Sequence, residues 1–120
     1  MKQQQIELLD QLIEKIEMYQ EIEDWRPYYF GEIFATKSNC TYALAAYEDS
    51  IDAARALQDA VLPEWELTHM GQHENGWMVA IARLGPPTSH EGIHVSSPGR
   101  AWLLAILYAI RSINSRGSSE

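Results

Sequence analysis

The sequence predicts an α+β domain in which a small antiparallel sheet is packed between helices, an α/β/α sandwich. Three observations carry that expectation. The stretch 64–84 reads as a β-hairpin whose returning arm is apolar on both faces. Helical patterns flank it, over 2–23 and 51–61 before it and from Pro98 to about Asn114 after it. The last of these helices is apolar nearly all round, so it needs cover on more than one side. A chain of 120 residues forms one domain, 1–120, and buries roughly two-thirds of its unfolded surface without disulfides or metals.

The first helix follows from Ile6, Leu9, Ile13 and Ile16, which recur at spacings of three and four. Glu7, Asp10, Glu14, Glu17 and Glu21 fill the opposite, solvated side. Its end is expected near Asp24-Trp25-Arg26-Pro27, because a residue before proline is pushed out of the helical region. From Tyr28 to Glu48 the chain is aromatic but aperiodic. Gly31 and Lys37-Ser-Asn-Cys40 interrupt it, so short turns or irregular structure are expected. Its aromatic residues suit core packing better than the lining of a ligand pocket. Ser50 caps a helix over Ile51–Val61, with Asp52 in the first turn and alanines that let it approach a sheet closely.

Leu62-Pro63 then launches the hairpin. Trp65 and Leu67 alternate with Glu64, Glu66 and Thr68, the pattern of a half-buried strand. On the return, Trp77, Val79 and Ile81 line one face, and Met78, Ala80, Ala82 and Leu84 the other. A strand of that kind is expected to be central and covered by helices on both sides. Two closures fit the turn, a two-residue Asn75-Gly76 or a three-residue Glu74-Asn75-Gly76 loop. Of these, only the second pairs the Trp65 face with the Trp77 face. Gly85–Ser89 reads as a loop, 93–95 as a possible short third strand, and Ser97-Pro98 as a helix start. Ser115–Glu120 reads as a frayed tail.

Composition excludes several functions. Seventeen acidic against nine basic residues give a formal charge of −8, and the cations are scattered singly. Phosphate contacts dominate nucleic-acid affinity, so no nucleic-acid partner is expected. The longest apolar run, Ala101–Ile110, is half a bilayer span, so no membrane partner is expected either. The lone Cys40 excludes an internal disulfide, and the polar N-terminus lacks a secretory pattern, so the expected location is cytoplasmic.

The sharpest catalytic string is His90-Glu91-Gly92-Ile93-His94, a match to the His-Glu-x-x-His pattern of zinc peptidases. There two histidines one helical turn apart hold Zn²⁺ and the glutamate activates its water. No helix of useful length fits between Pro87 and Pro98, and no third ligand follows. His90, Glu91 and His94 are therefore weak metal candidates, with exposed loop or strand histidines as the plainer reading. His69 and His73 share strand spacing with that pair and could at most hold metal adventitiously. Gly85-Pro86-Pro87 offers no amide donors to a phosphate, and no serine stands in a Gly-x-Ser-x-Gly elbow. Trp25, Trp65, Trp77 and Trp102 read as core and interface anchors. No cofactor and no enzymatic activity are expected.

The string Tyr47-Glu-Asp-Ser-Ile-Asp-Ala-Ala-Arg-Ala-Leu57, followed by Leu62-Pro63-Glu-Trp65 and by Ser97-Pro98-Gly-Arg-Ala-Trp-Leu-Leu, resembles the phage ABA sandwich family. The likeness covers about 47–112. It implies a sheet between helices and a phage or prophage accessory role in a bacterial host, and it supplies no catalytic or binding residues. The expected protein is thus a non-enzymatic module that binds a host or phage protein, or a ligand. It is expected to act as a homo-oligomer, self-associating through Trp102, Leu103, Leu104 and Leu107 of the final helix. A metal-dependent hydrolase built on His90, Glu91 and His94, and an acidic decoy for a nucleic-acid-binding protein, are the alternatives.

Overall fold

A computed structural model describes residues 3–18, 26–34, 36–74, 76–83, 88–94 and 97–118. Helix α1 spans Gln3–Glu17 and buries Leu9, Leu12, Ile13 and Ile16, while Ile6, the first residue of the expected stripe, is half-buried. The expected continuation towards Glu23 and the stop at Asp24-Trp25 lie outside the described residues.

The segment expected to be irregular is instead two helices, α2 over Arg26–Ile33 and α3 over Lys37–Tyr47. In α2 the apolar face is short but regular. Phe30, Ile33 and the following Phe34 are buried at spacings of three and four, while Gly31 meets nothing on the outside. An exposed helical glycine costs only about 1 kcal/mol, which tertiary packing overrides. In α3 the polar Ser38 and Asn39 belong to a first turn capped by Thr36, whose hydroxyl accepts from the Asn39 amide at 3.1 Å. They start a helix rather than break one.

Helix α4, Ile51–Val61, is capped by Ser50 as expected, its hydroxyl accepting from the Ala53 amide at 3.1 Å. Strands β1 (Trp65–His73), β2 (Gly76–Arg83) and β3 (Thr88–His94) form an antiparallel sheet in that order, with β2 in the middle. The third strand is thus longer than 93–95 and takes in Thr88 and Ser89, which were expected in a loop. Helix α5 runs over Pro98–Ser118, four residues past its expected end and into the stretch read as a frayed tail.

The hairpin closes as neither expected loop. His73 pairs with Gly76, whose φ of 124° a side chain would strain. Positions 74 and 75 lie between them. That closure alone would set Trp65 on the wrong face, and a β-bulge between Leu67 and His69 corrects it. The Thr68 hydroxyl ties the bulge down by donating to the Ala80 carbonyl at 3.1 Å. Trp65 therefore pairs with Arg83 and Leu67 with Ile81, and the Trp65 and Trp77 faces coincide.

The fold is α+β, with a three-stranded antiparallel sheet packed on helices. The layers are ordered differently from a sheet with helices on both faces. Helix α5 lies in the middle, with β2 and β3 on one side and α1, α3 and α4 against it as well. Ala101 through Leu107 are all buried. No described helix packs on the other face of the sheet. The contact of α5 with β3 is close enough to need Gly92, where a Cβ would come within 1.9 Å of the Ala101 carbonyl oxygen.

Candidate functional site

Three places in this framework could carry function: the His-Glu string, the clefts around α4, and the open face of the sheet.

The string from His90 to His94 lies on β3, not on a helix. His90 pairs with Ile81 and Glu91 with Ala80, so they point to opposite faces of the sheet. The His90 imidazole is half-buried on the α5 side, its ring 5.8 Å from that of Trp65. Glu91 is exposed on the other side. A carboxylate on the far face cannot activate water on a metal held by His90. Gly92, which completes the string, is the packing glycine against α5. His94 pairs with Trp77 and shares the parity of His90, but its side chain lies outside what is described. Among the described residues, no group of three or more His, Cys, Asp or Glu is placed to hold a metal ion.

Two polar joints were not anticipated, and both hold α5. Asp49 sits at φ 81° after α3, the left-handed conformation that usually ends a helix on glycine. The Ser50 amide donates back to the Ala45 carbonyl at 2.9 Å, as that kind of cap requires. The Asp49 carboxylate then accepts from the Ser97 hydroxyl at 2.7 Å and the Gly99 amide at 2.9 Å. This places a negative charge at the positive end of α5. Arg100 completes the joint, donating to the Tyr47 carbonyl at 2.7 Å with its guanidinium 4.0 Å above the Tyr47 ring. Tyr47, Asp49 and Ser97-Pro98-Gly99-Arg100 therefore meet in one structural contact.

The second joint is Gln58, only 3% exposed. Its amide nitrogen donates to the Trp65 carbonyl at 3.1 Å, and its oxygen accepts from the Trp102 indole at 2.7 Å. The signal in the sequence was a lone amide on the inward face of α4, beside Ala54 and Leu57. Above it lies a cleft of about 340 Å³ bordered by Arg55, Asp59, Glu66 and Leu67. The indoles on its floor belong to the core, as Trp65 is 5% and Trp102 2% exposed. A second, apolar groove of about 250 Å³ runs between Phe34, Leu62, Ile110 and Ile113. Of the aromatics expected in the core, Phe30, Phe34 and Tyr47 are at most 4% exposed, whereas Tyr28 is 55% and Tyr42 36% exposed.

The third place is the open face of the sheet. It carries Glu66, His69 and Gly71 on β1, Met78, Ala80 and Ala82 on β2, and Ser89, Glu91 and Ile93 on β3. Ile93 is 47% exposed, and Met78 and Ala82 are half-buried. The residues expected to meet a second copy are elsewhere. Trp102, Leu103, Leu104 and Leu107 are 0–2% exposed inside this one chain, beneath the sheet and the other helices. Those four residues have no surface left to offer, although further along α5 Ile113 is 40% exposed.

No protein-family model, no curated protein and no solved structure matches the chain. No helix among the described residues is long and apolar enough to cross a membrane.

Proposed function

We propose that this chain is a non-enzymatic accessory module that acts by binding protein, itself included, as a homo-oligomer. The observation that carries the reading is the open sheet face, where the apolar centre Met78, Ala80 and Ala82 and the exposed Ile93 lie under no described helix. Water-facing strands usually alternate in polarity, so a two-sided apolar strand with one bare side supports a partner on that side. Trp102, Leu103, Leu104 and Leu107 of α5 give no support to self-association, because they are already covered within the chain.

The likeness of Tyr47–Leu57 and Ser97–Leu104 to the phage ABA sandwich family supports a phage or prophage setting in the host cytoplasm. The hydrolase reading loses its support with His90 and Glu91 on opposite faces of a strand. The decoy reading needs an unbroken carboxylate surface, and Arg111 interrupts the acidic side of α1 by pairing with Asp10 at 3.4 Å. Light scattering across a micromolar concentration series tests the proposal. A mass that rises above one chain with concentration supports it, and a one-chain mass throughout contradicts it.

A further inference from the structure

We infer that the outer edge of β3, over 89–93, takes an extended segment of another protein as an added antiparallel strand. That segment sets an apolar residue opposite Ile93 and a basic residue opposite Glu91. The inference rests on the protein-binding part of the reading above and not on self-association. Hydrogen bonds already made fix which backbone groups of the sheet are free. The Trp65 amide donates to the Leu62 carbonyl at 3.0 Å, and the Trp65 carbonyl accepts from the Gln58 side chain at 3.1 Å. Both groups of Trp65 therefore turn away from β2, and Trp65–Arg83 is a non-hydrogen-bonded pair. Pair types alternate along an antiparallel ladder, so Arg83, Ile81, Val79 and Trp77 bond to β3 through Thr88, His90, Gly92 and His94. The N–H and C=O groups of Ser89, Glu91 and Ile93 then point outward.

The two edges of the sheet differ. On β1 the outward residues are Trp65, Leu67, Met70 and Gln72, because Thr68 is the extra residue of the bulge. Trp65 is already bonded, and the step from Leu67 to Met70 breaks the two-residue period that an added strand needs. Bulges and covered ends are the means by which sheets refuse edge pairing. On β3 the pairing runs from Thr88 to His94 without a shift, so its outward groups keep that period. Those groups meet no hydrogen-bond partner among the described residues, and the side chains of Ser89, Glu91 and Ile93 are exposed. Backbone donors and acceptors at this spacing are recognised by an extended polypeptide.

Side chains choose which polypeptide. Residues directly opposite each other in an antiparallel pair share a face of the sheet. A second copy of β3 laid here in full overlap would set Glu91 opposite Glu91, and like charges so placed repel. A cation in that position is attracted instead, and the Glu91 carboxylate makes no ion pair among the described residues. The net charge of −8 also favours a basic partner. Ile93, 47% exposed, gains cover from an apolar residue opposite it. Read from its own N-terminus, the added segment is apolar–x–basic–x–polar, its polar residue opposite Ser89.

Nuclear magnetic resonance on the isotope-labelled full chain, titrated with the peptide acetyl-Thr-Ile-Thr-Lys-Thr-Thr-amide, tests the inference. In the free protein the amides of Ser89, Glu91 and Ile93 are expected to exchange with solvent far faster than those of His90 and Gly92, which bond to β2. The peptide is expected to shift amides along 89–93 and to slow exchange at the outward ones. Glutamate in place of its lysine is expected to weaken binding roughly fivefold or more. Glu91→Lys in the protein is expected to reverse that preference, with far-ultraviolet circular dichroism checking its fold. Methylating the backbone nitrogen of the peptide's lysine keeps the charge but removes the bond to the Glu91 carbonyl, and is expected to weaken binding roughly tenfold or more. Outward amides protected in the free protein, no binding at about 1 mM peptide, shifts confined to other residues, or binding indifferent to either peptide change would each overturn the inference. A one-chain mass in light scattering would refute self-association alone and leave this edge standing.

Discussion

The two faces of the same sheet contrast in nearly every respect. One presents Val79 and Ile81, both 0% exposed, to α5, and there Gly92 leaves no room for a methyl group. The other presents smaller or polar side chains, Ala80, Ala82, Ser89 and Glu91, with Ile93 left in solvent. Gly92 and Ile93 are neighbours on β3, yet one meets the backbone of α5 and the other is 47% exposed. The contrast teaches that an apolar residue on a central strand reports a contact without saying who supplies it. On one face the chain supplies it; on the other Met78 and Ala82 are half-buried and Ile93 lies open to solvent.

The largest effect should come from crowding the α5 side further. Gly92→Ala would bring a Cβ to 1.9 Å from the Ala101 oxygen and 2.7 Å from the Ala105 nitrogen, both backbone atoms. Unfolding in urea should show a loss of about 3 kcal/mol or more. Next is the buried amide between α4, β1 and α5. Gln58→Leu strands the Trp102 indole N–H and the Trp65 carbonyl, and should cost about 2–3 kcal/mol on the same titration. Asp49→Ala removes the two bonds to the start of α5 and puts alanine at φ 81°, for a loss of about 2 kcal/mol. Asp49→Gly should lose less, because glycine accepts that φ.

A smaller effect lies on the far side of α5. Burial, and then the hydrogen bond to Glu17, push the Tyr108 phenol well above its usual range. Its protonated form is favoured in the folded state, so its contribution is fully present below about pH 10 and is lost as the pH rises further. Alkaline unfolding monitored by tyrosinate absorbance should show this, and Tyr108→Phe should remove it.

Much of this contrast could be read from residue order. The hairpin, the Ser50 and Ser97 caps and the apolar stripe of α1 follow from local periodicity and capping, which need no tertiary information. Helices α2 and α3 escaped because their signals are short. Phe30, Ile33 and Phe34 make a single turn of apolar face, and Thr36 caps α3 in a stretch that reads as a break. The bulge at Thr68 depends on a cross-strand hydrogen bond to Ala80, which no one-dimensional pattern contains. The layer order escaped for a different reason. Met78, Ala80 and Ala82 have the polarity of a covered face, and polarity does not tell a helix of the same chain from a second chain. The string from His90 to His94 was legible as a doubtful motif because its prolines and Gly92 already favour extended backbone.

The central claim, that one chain leaves this face uncovered, is tested most directly by Ile93→Asp. Its urea unfolding should be compared with the wild type at a protein concentration below that of self-association. An exposed substitution should change stability by no more than about 0.5 kcal/mol, while light scattering at high concentration shows association lost. A loss of about 2 kcal/mol or more in the dilute protein would contradict the account, because Ile93 would then already be packed within its own chain.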